Sequence, residues 1–342
     1  MSKSIIIAGP CAVESREQLF ATAQELCSLW DFNDLKLNYF RAGVWKPRSE
    51  PGSFSGMGTE ALSYLQELQQ QLNLSVCVEV GSPEQLDLCE KHGIKIVWIG
   101  SRTAVNPFDV QEIACAAQGR DLTVLVKNPI ISDLKLWSGN VERFLKAGVK
   151  EVISVHRGFA DGSENVYRNT PGWDLAIDFK VRFPHIPLLC DPSHIAGDRQ
   201  YIAQLSQLAL DYGFDGLMIE THIQPEIALS DAGQQLRPAE LIGLLHRLNF
   251  KNSISSPAEI ELSKQRNLIN NIDTQISVLL KKRMMIVDTI AKITSEPVVQ
   301  PEQWQKVVAR YFENSLEDNE YQDFLNGFLE LLHQSSIKRQ RK

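Results

Sequence analysis

Two textures alternate along the first 250 residues. Short apolar, β-rich runs occur at Ser4–Ala8, Leu37–Arg41, Ser75–Val80, Ile94–Ile99, Thr123–Lys127, Glu151–His156, Ile186–Cys190 and Gly216–Glu220. Most are separated by segments with apolar residues at helical spacing, such as Glu14–Trp30, Thr59–Leu72, Pro83–His92, Gly139–Ala147 and Arg199–Tyr212. Continuously apolar strands alternating with helices build parallel sheets covered on both faces. Eight such units in about 250 residues predict an α/β fold, a closed (β/α)8 TIM barrel. An open doubly wound sheet is the alternative. It is weakened because no Gly-x-Gly-x-x-Gly follows any of the runs.

The texture changes at Asn249–Pro257, a polar stretch closed by proline that reads as a linker. No strand pattern follows it. Glu259–Thr294 carries one long helical pattern, about 50 Å at 1.5 Å per residue. Pro297 and Pro301 break it, and two further helices are predicted near Glu302–Asn314 and Glu320–Arg339. The predicted organisation is a barrel domain over 1–249, a linker over 250–258 and a second, smaller all-α helical domain over 259–342. In the long helix, Leu262, Arg266, Ile269, Asp273, Ile276, Leu280, Arg283, Val287 and Ile290 step alternately by four and three, a heptad seam. Ile272, Leu279, Ile286 and Ile293 widen it into an apolar face. Arginines on such a seam need anionic partners. For Arg266 and Arg283 the partner is either Asp273 or a ligand.

Composition narrows the class. Among 342 residues, 35 Lys and Arg against 42 Asp and Glu give a formal charge of −7, so nucleic acid is not the expected partner. Hydrophobic content of 43% and charged content of 23% are those of a globular chain. No apolar run approaches the roughly 18 residues of a membrane helix. The apolar stretch after Met1 is too short for a signal peptide. The six cysteines form no Cys-x-x-Cys pair, which points to a reducing cytoplasm.

In a (β/α)8 barrel the chemistry sits at the C-terminal ends of the strands. Those ends carry two sets of residues. Arg41, Lys46, Arg48, Arg102, Lys127 and Arg157 would form a cationic ring suited to a substrate bearing carboxylate and phosphate. Cys11, His194, Glu220 and Asp231 combine a thiol, an imidazole and two carboxylates, a donor set for a divalent metal. The alternative for Cys11 is a buried structural cysteine. The other five cysteines are expected to be structural and buried, and His92, His185 and His246 to lie on helices or loops without chemistry.

The strand-end motifs are Ala8-Gly9-Pro10-Cys11-Ala12-Val13-Glu14-Ser15, Arg41 to Ser49, Ile99-Gly100-Ser101-Arg102, Val126-Lys127-Asn128, His156-Arg157-Gly158, Asp191-Pro192-Ser193-His194 and Met218-Ile219-Glu220. In this order they resemble the type I 3-deoxy-D-arabino-heptulosonate 7-phosphate (DAHP) synthases, over about residues 4–248. The resemblance implies a TIM barrel that condenses phosphoenolpyruvate with erythrose 4-phosphate at the start of the shikimate pathway. It implies a divalent metal (Mn, Fe, Co or Zn) on Cys11, His194, Glu220 and Asp231. Phosphoenolpyruvate would meet Arg41, Lys46, Glu79, Arg102, Lys127 and Arg157, and erythrose 4-phosphate Arg48 and Ser49. The related octulosonate-phosphate synthases carry Lys-Ala-Asn-Arg where this chain has Lys46-Pro47-Arg48, which favours the four-carbon aldose. An octulosonate-phosphate or sialate-type synthase, with a helical domain serving only oligomerisation, is the alternative. His156 departs from many relatives.

Residues 259–340 resemble the all-helical chorismate mutases. Arg266, Asp273 and Arg283 match the spacing of the first helix, and Ser336 and Gln340 a Ser and Gln on the last. The resemblance implies an intertwined helical dimer in which Arg266, Arg283, Ser336 and Gln340 bind chorismate or prephenate. The whole protein is then expected to be a cytoplasmic homodimer or homotetramer. Three positions depart from the family. Thr294 stands where a catalytic Lys is expected, Gln303 where an Arg is usual and Trp304 where an acid is usual. The domain would therefore serve as a mutase or as a sensor for feedback control.

Overall fold

Strand residues alternate strictly between two environments. Ile7, Cys77, Trp98, Leu125, Ile153, Leu189 and Met218 pack together as one cluster. Their neighbours Ile6, Ala8, Val76, Val78, Val97, Ile99, Val124, Val126, Leu188, Cys190, Leu217 and Ile219 belong to a larger one. A period of two sends alternate side chains to opposite faces. The first cluster fills the interior of a closed barrel and the second lies between barrel and helices. In this computed structural model, residues 4–46, 52–160, 162, 166–250, 257–293 and 319–340 are described. The strands are β1 Ile5–Gly9, β2 Leu37–Arg41, β3 Val76–Val80, β4 Ile96–Ile99, β5 Thr123–Lys127, β6 Glu151–His156, β7 Leu188–Cys190 and β8 Gly216–Glu220. All neighbours pair in parallel and in chain order, and β8 returns to pair with β1. The expected (β/α)8 barrel is therefore the fold.

Helices α1 Arg16–Leu29, α2 Glu60–Leu72, α3 Pro83–Lys91, α4 Pro107–Ala116, α5 Leu134–Ala147, α6 Trp173–Arg182, α7 Pro192–Ala196 and α8 Ile202–Asp211 connect the strands, and α9 Pro238–Arg247 follows β8. Several starts are set by side-chain caps. Ser15 accepts from the Gln18 N–H at 3.0 Å and Asp133 from the Leu136 N–H at 2.9 Å. The Asp133 cap explains why α5 begins at Leu134 and not at Gly139. β7 begins at Leu188 and not at Ile186, because Pro187 has no N–H to give a ladder. Arg199–Tyr201 forms a 3-10 turn ahead of α8.

The expectation of buried cysteines holds for Cys77, Cys89 and Cys190 and fails for Cys27 and Cys115, which are exposed on α1 and α4. Both occupy helix positions turned away from the core stripe, where burial requires nothing of the side chain.

The chain divides into two compact units, Met1–Asn267 and Leu268–Lys342. The long helix predicted over Glu259–Thr294 is α10, Pro257–Ile293, and the last one is α11, Asn319–Gln340. The helix predicted near Glu302–Asn314 lies outside the described residues. Val287 of α10 and Leu325, Leu329 and Leu332 of α11 are buried. Ile269, Ile272, Ile276, Leu279, Ile286, Ile290 and Ile293 of the seam and its flank are exposed. Among the described residues no helix is long and apolar enough to cross a membrane.

Candidate active site

The same period of two carries the inward face past the apolar barrel plug. Two residues after Tyr39, Cys77, Leu125, Val155, Leu189 and Met218 stand Arg41, Glu79, Lys127, Arg157, Asp191 and Glu220. A cavity opens there, lined by Arg41, Lys46, Glu79, Trp98, Gly100, Ser101, Arg102, Lys127, Ile130, Arg157, His194 and Asp231. All six residues expected to hold phosphoenolpyruvate line it. Arg48 and Ser49 lie outside the described residues. A neighbouring hollow shares Lys46 and Glu79 and is bordered by Trp45, Ser55–Gly58 and Thr103.

The cations gather over one indole. The Trp98 ring centroid lies 5.2 Å from the Arg41 guanidinium carbon, 5.8 Å from Lys46 Nζ and 5.7 Å from Lys127 Nζ. An aromatic face attracts cations and offsets part of their mutual repulsion. Lys46 also lies 3.5 Å from Glu79 Oε2. Gly100 leaves room for that carboxylate, since a Cβ there would fall 2.0 Å from Glu79 Oε1. Burial pushes the Lys127 ammonium below its ordinary pKa, against the pull of Asp191. Burial likewise lowers Arg157, to about 10. For Arg41 burial acts in the same direction, but the carboxylates of Glu220 and Asp191 outweigh it and raise the group.

Three of the four expected metal donors converge, and His194 stands at their edge. The ligand atoms of Cys11, Glu220 and Asp231 all lie within 4.8 Å of one another, with Cys11 Sγ 3.3 Å from Asp231 Oδ2. His194 Nε2 is 3.7 Å from Glu220 Oε1. The thiol and two carboxylates form the cluster, with the His194 imidazole at its edge beside Glu220, a donor set that fits a divalent transition metal. Burial, helped by Glu220, pushes the Cys11 thiol up to about 12. Burial would raise Asp231, but His194 and Arg168 hold it well below the usual carboxylate range. Its backbone is left-handed, at φ 50° and ψ 39°, which few non-glycine residues adopt.

Four further residues complete the site; none was assigned a role from sequence, although Asp191 heads one of the strand-end motifs. Arg168 Nη1 donates to Asp231 Oδ1 at 2.9 Å, Gln234 Nε2 to Glu220 Oε2 at 2.7 Å, and the Cys11 N–H to Gln235 Oε1 at 2.9 Å. Asp191 Oδ2 lies 2.6 Å from Lys127 Nζ and 2.8 Å from His194 Nδ1. For Asp191 a signal existed, its position two residues after the inward Leu189. The two glutamines and Arg168 lie on connections with no such register.

His156 takes the outward face. It is buried among Trp137, Phe159, Trp173 and Phe214, with Nε2 2.5 Å from the Pro171 carbonyl oxygen. Burial holds it neutral, down to about 4. Its departure from the family pattern thus falls outside the cavity.

In the helical unit, Arg283 Nη1 donates to Ser336 Oγ at 2.7 Å, and that hydroxyl donates to the Leu332 carbonyl at 2.7 Å. Two of the four residues expected around chorismate are thus brought together. The side chains of Arg266 and Gln340, and residues Thr294, Gln303 and Trp304, lie outside the described ones. Asp273 is exposed. Arg339 forms a bidentate pair with Asp288, at 2.8 and 2.9 Å.

A parallel barrel with cations and metal-type donors around one mouth defines the (β/α)8 class, in which the chemistry sits at the C-terminal ends of the strands. Residues 2–254 match the DAHP synthetase I family model, and residues 265–341 match chorismate mutase type II. The chain belongs to the DAHP synthetase I family, with a chorismate mutase type II region following its barrel. It is 33% identical over 232 residues to the phospho-2-dehydro-3-deoxyheptonate aldolase of Thermotoga maritima. That match covers 68% of this chain and 64% of the relative, just under two thirds of its length. A 2-dehydro-3-deoxyphosphooctonate aldolase of Wolinella succinogenes is 26% identical over 271 residues, covering 71% of this chain and 97% of the relative. The crystal structure of the Thermotoga maritima aldolase (DAHP synthase) superposes with a TM-score of 0.62 at 31% identity, over 72% of this chain and 68% of that one.

Proposed function

We propose that the barrel condenses phosphoenolpyruvate with erythrose 4-phosphate to DAHP and inorganic phosphate. One observation carries this reading: Arg41, Lys46, Arg102, Lys127 and Arg157 line a single cavity into which His194 and Asp231 also project. In the reaction, C3 of the enol phosphate attacks the aldehyde carbon, whose oxygen takes up a proton, water adds at C2, and the C2–O bond to phosphate breaks, so negative charge builds on the aldehyde oxygen and on the departing phosphate. Lys127, Arg157 and Arg102 hold carboxylate and phosphate, and their fixed positive charge stabilises the negative charge that develops. Arg41 and Lys46, anchored by Glu220 and Glu79, fix the orientation of the enol. A divalent metal held by Cys11, His194, Glu220 and Asp231 supplies Lewis acidity toward the aldehyde oxygen when bound. Arg48 and Ser49 meet the phosphate of the aldose. The test is phosphate release from phosphoenolpyruvate with erythrose 4-phosphate or arabinose 5-phosphate, with and without chelator. Turnover with the five-carbon aldose alone would assign the chain to octulosonate-phosphate chemistry instead.

The helical domain, with its boundary placed at 250–258, binds chorismate or prephenate through Arg266, Arg283, Ser336 and Gln340. The family match and the Arg283–Ser336 bond support this. Conversion of chorismate to prephenate and feedback sensing are two uses of one site, separated by a mutase assay. The exposed Ile and Leu face of α10 supports assembly into a homodimer or homotetramer, and the unpaired cysteines support a cytoplasmic location.

A further inference from the structure

We propose that Asp191 couples the metal centre to the substrate-binding cations, so that a divalent metal and phosphoenolpyruvate each tighten the other's binding. The inference rests on the barrel reading above and assigns to one residue a property that reading does not contain.

Asp191 follows β7, on the inward register, with its side chain fully buried. Oδ1 accepts the His194 N–H at 3.1 Å and caps α7. Oδ2 is left for three donors from different parts of the barrel. Lys127 Nζ lies at 2.6 Å, His194 Nδ1 at 2.8 Å and Arg41 Nη1 at 3.8 Å. Neither Arg41 Nη1 nor His194 Nδ1 completes a hydrogen bond, so only Lys127 satisfies its contact with Oδ2. Donors therefore outnumber what one carboxylate oxygen can satisfy well, and burial excludes water as a substitute.

Two of these donors serve different ligands. Lys127 faces the cavity, while His194 leaves Nε2 on the side of Glu220. An imidazole that holds a metal becomes a stronger N–H donor through its other nitrogen, and a carboxylate there orients the ring and raises its basicity. Metal binding draws Oδ2 toward His194 and releases the Lys127 ammonium for a phosphate or carboxylate. An anion that draws Lys127 away leaves Oδ2 to His194 and strengthens it as a ligand. Both events shift the same oxygen the same way, so the coupling is positive. Linkage makes its size equal in the two directions. Asp191 acts through Lys127 and His194 and is a positioning residue.

The experiment uses the full chain without any aldose, so that no turnover occurs. Phosphoenolpyruvate affinity is measured by tryptophan fluorescence with and without Mn2+. Mn2+ affinity is measured by electron paramagnetic resonance of the free ion with and without phosphoenolpyruvate. The wild type should show equal tightening in both directions, about 5- to 150-fold. Asp191→Asn keeps a capping oxygen and the side-chain size, and should bind both ligands with a factor near one. Asp191→Ser, which retains a capping hydroxyl but cannot reach both donors, should behave alike. Circular dichroism checks that each variant is folded. A wild type without coupling overturns the proposal, whatever the variants do. Coupling that persists in a folded variant also overturns it, by assigning the effect to direct contact between the ligands. Failure of the wild type to bind either ligand would instead remove the barrel reading itself.

Discussion

Arg41 Nη2 donates to Glu220 Oε1 across 2.8 Å, and neither side chain is exposed. The pair joins the ends of β2 and β8, strands that do not touch each other in the sheet. It makes Arg41 part of the barrel's charge balance as well as of the cavity wall. Arg41→Met should leave Glu220 as an uncompensated buried anion and cost about 3–5 kcal/mol. Arg41→Met combined with Glu220→Gln should recover most of that loss. Urea unfolding of the metal-free protein is the measurement. A single variant as stable as the wild type would show that the pair carries no structural charge balance.

Lys127 and Arg157 line the cavity directly. Lys127→Ala and Arg157→Ala should raise KM for phosphoenolpyruvate or abolish turnover, with the fold intact. Loss of a charge-assisted hydrogen bond is worth about 1.5–3 kcal/mol. Steady-state kinetics with circular dichroism as a control tests both. Unchanged kinetics in the two variants would place the anion elsewhere.

Metal affinity should rise with pH. The Cys11 thiol is held up to about 12 by burial and by Glu220, so it is protonated throughout the neutral range. A metal that binds its thiolate must displace that proton, and binding strengthens as protons become scarcer. The expected slope is close to tenfold per pH unit between about pH 6.5 and 8.5. His194 adds little to it, because burial lowers its pKa and the ring is already neutral there. Chelator competition across this range, on the wild type and Cys11→Ala, gives the slope. An affinity independent of pH in the wild type would exclude Cys11 as a ligand.

Arg283, bonded to Ser336, should bind prephenate or chorismate. Arg283→Leu should lose calorimetric heat of prephenate binding while thermal stability holds, whereas replacement of an arginine that only set helix register would leave ligand binding untouched. Ligand at this site should change the synthase rate, with a coupling of about 1–3 kcal/mol. No heat in the wild type, together with a synthase rate indifferent to prephenate, would leave the helical unit as an assembly module.

Much of this molecule is legible in one dimension. Eight apolar runs at regular spacing determine the barrel, since parallel strands buried on both faces leave few other closed arrangements. The period of two determines which residues emerge at the mouth. It carries Leu125 to Lys127 and Met218 to Glu220, and it sends His156 outward although it precedes Arg157. Even Asp191 obeys that register. Pairing is another matter. Arg41 and Glu220 are 179 residues apart, and Cys11 and Asp231 are 220 apart. Closure of the barrel alone decided that Glu220 would be shared by Arg41 and Gln234, that Lys127 would reach Asp191, and that three cations would sit over Trp98. The left-handed turn at Asp231 and the reach of Arg168 to it likewise depend on how a loop settles over a finished mouth. Local sterics and hydrophobic period act between neighbours in the chain and can be read there. Charge balance in a buried site acts through space, among groups that meet only after the strands have closed.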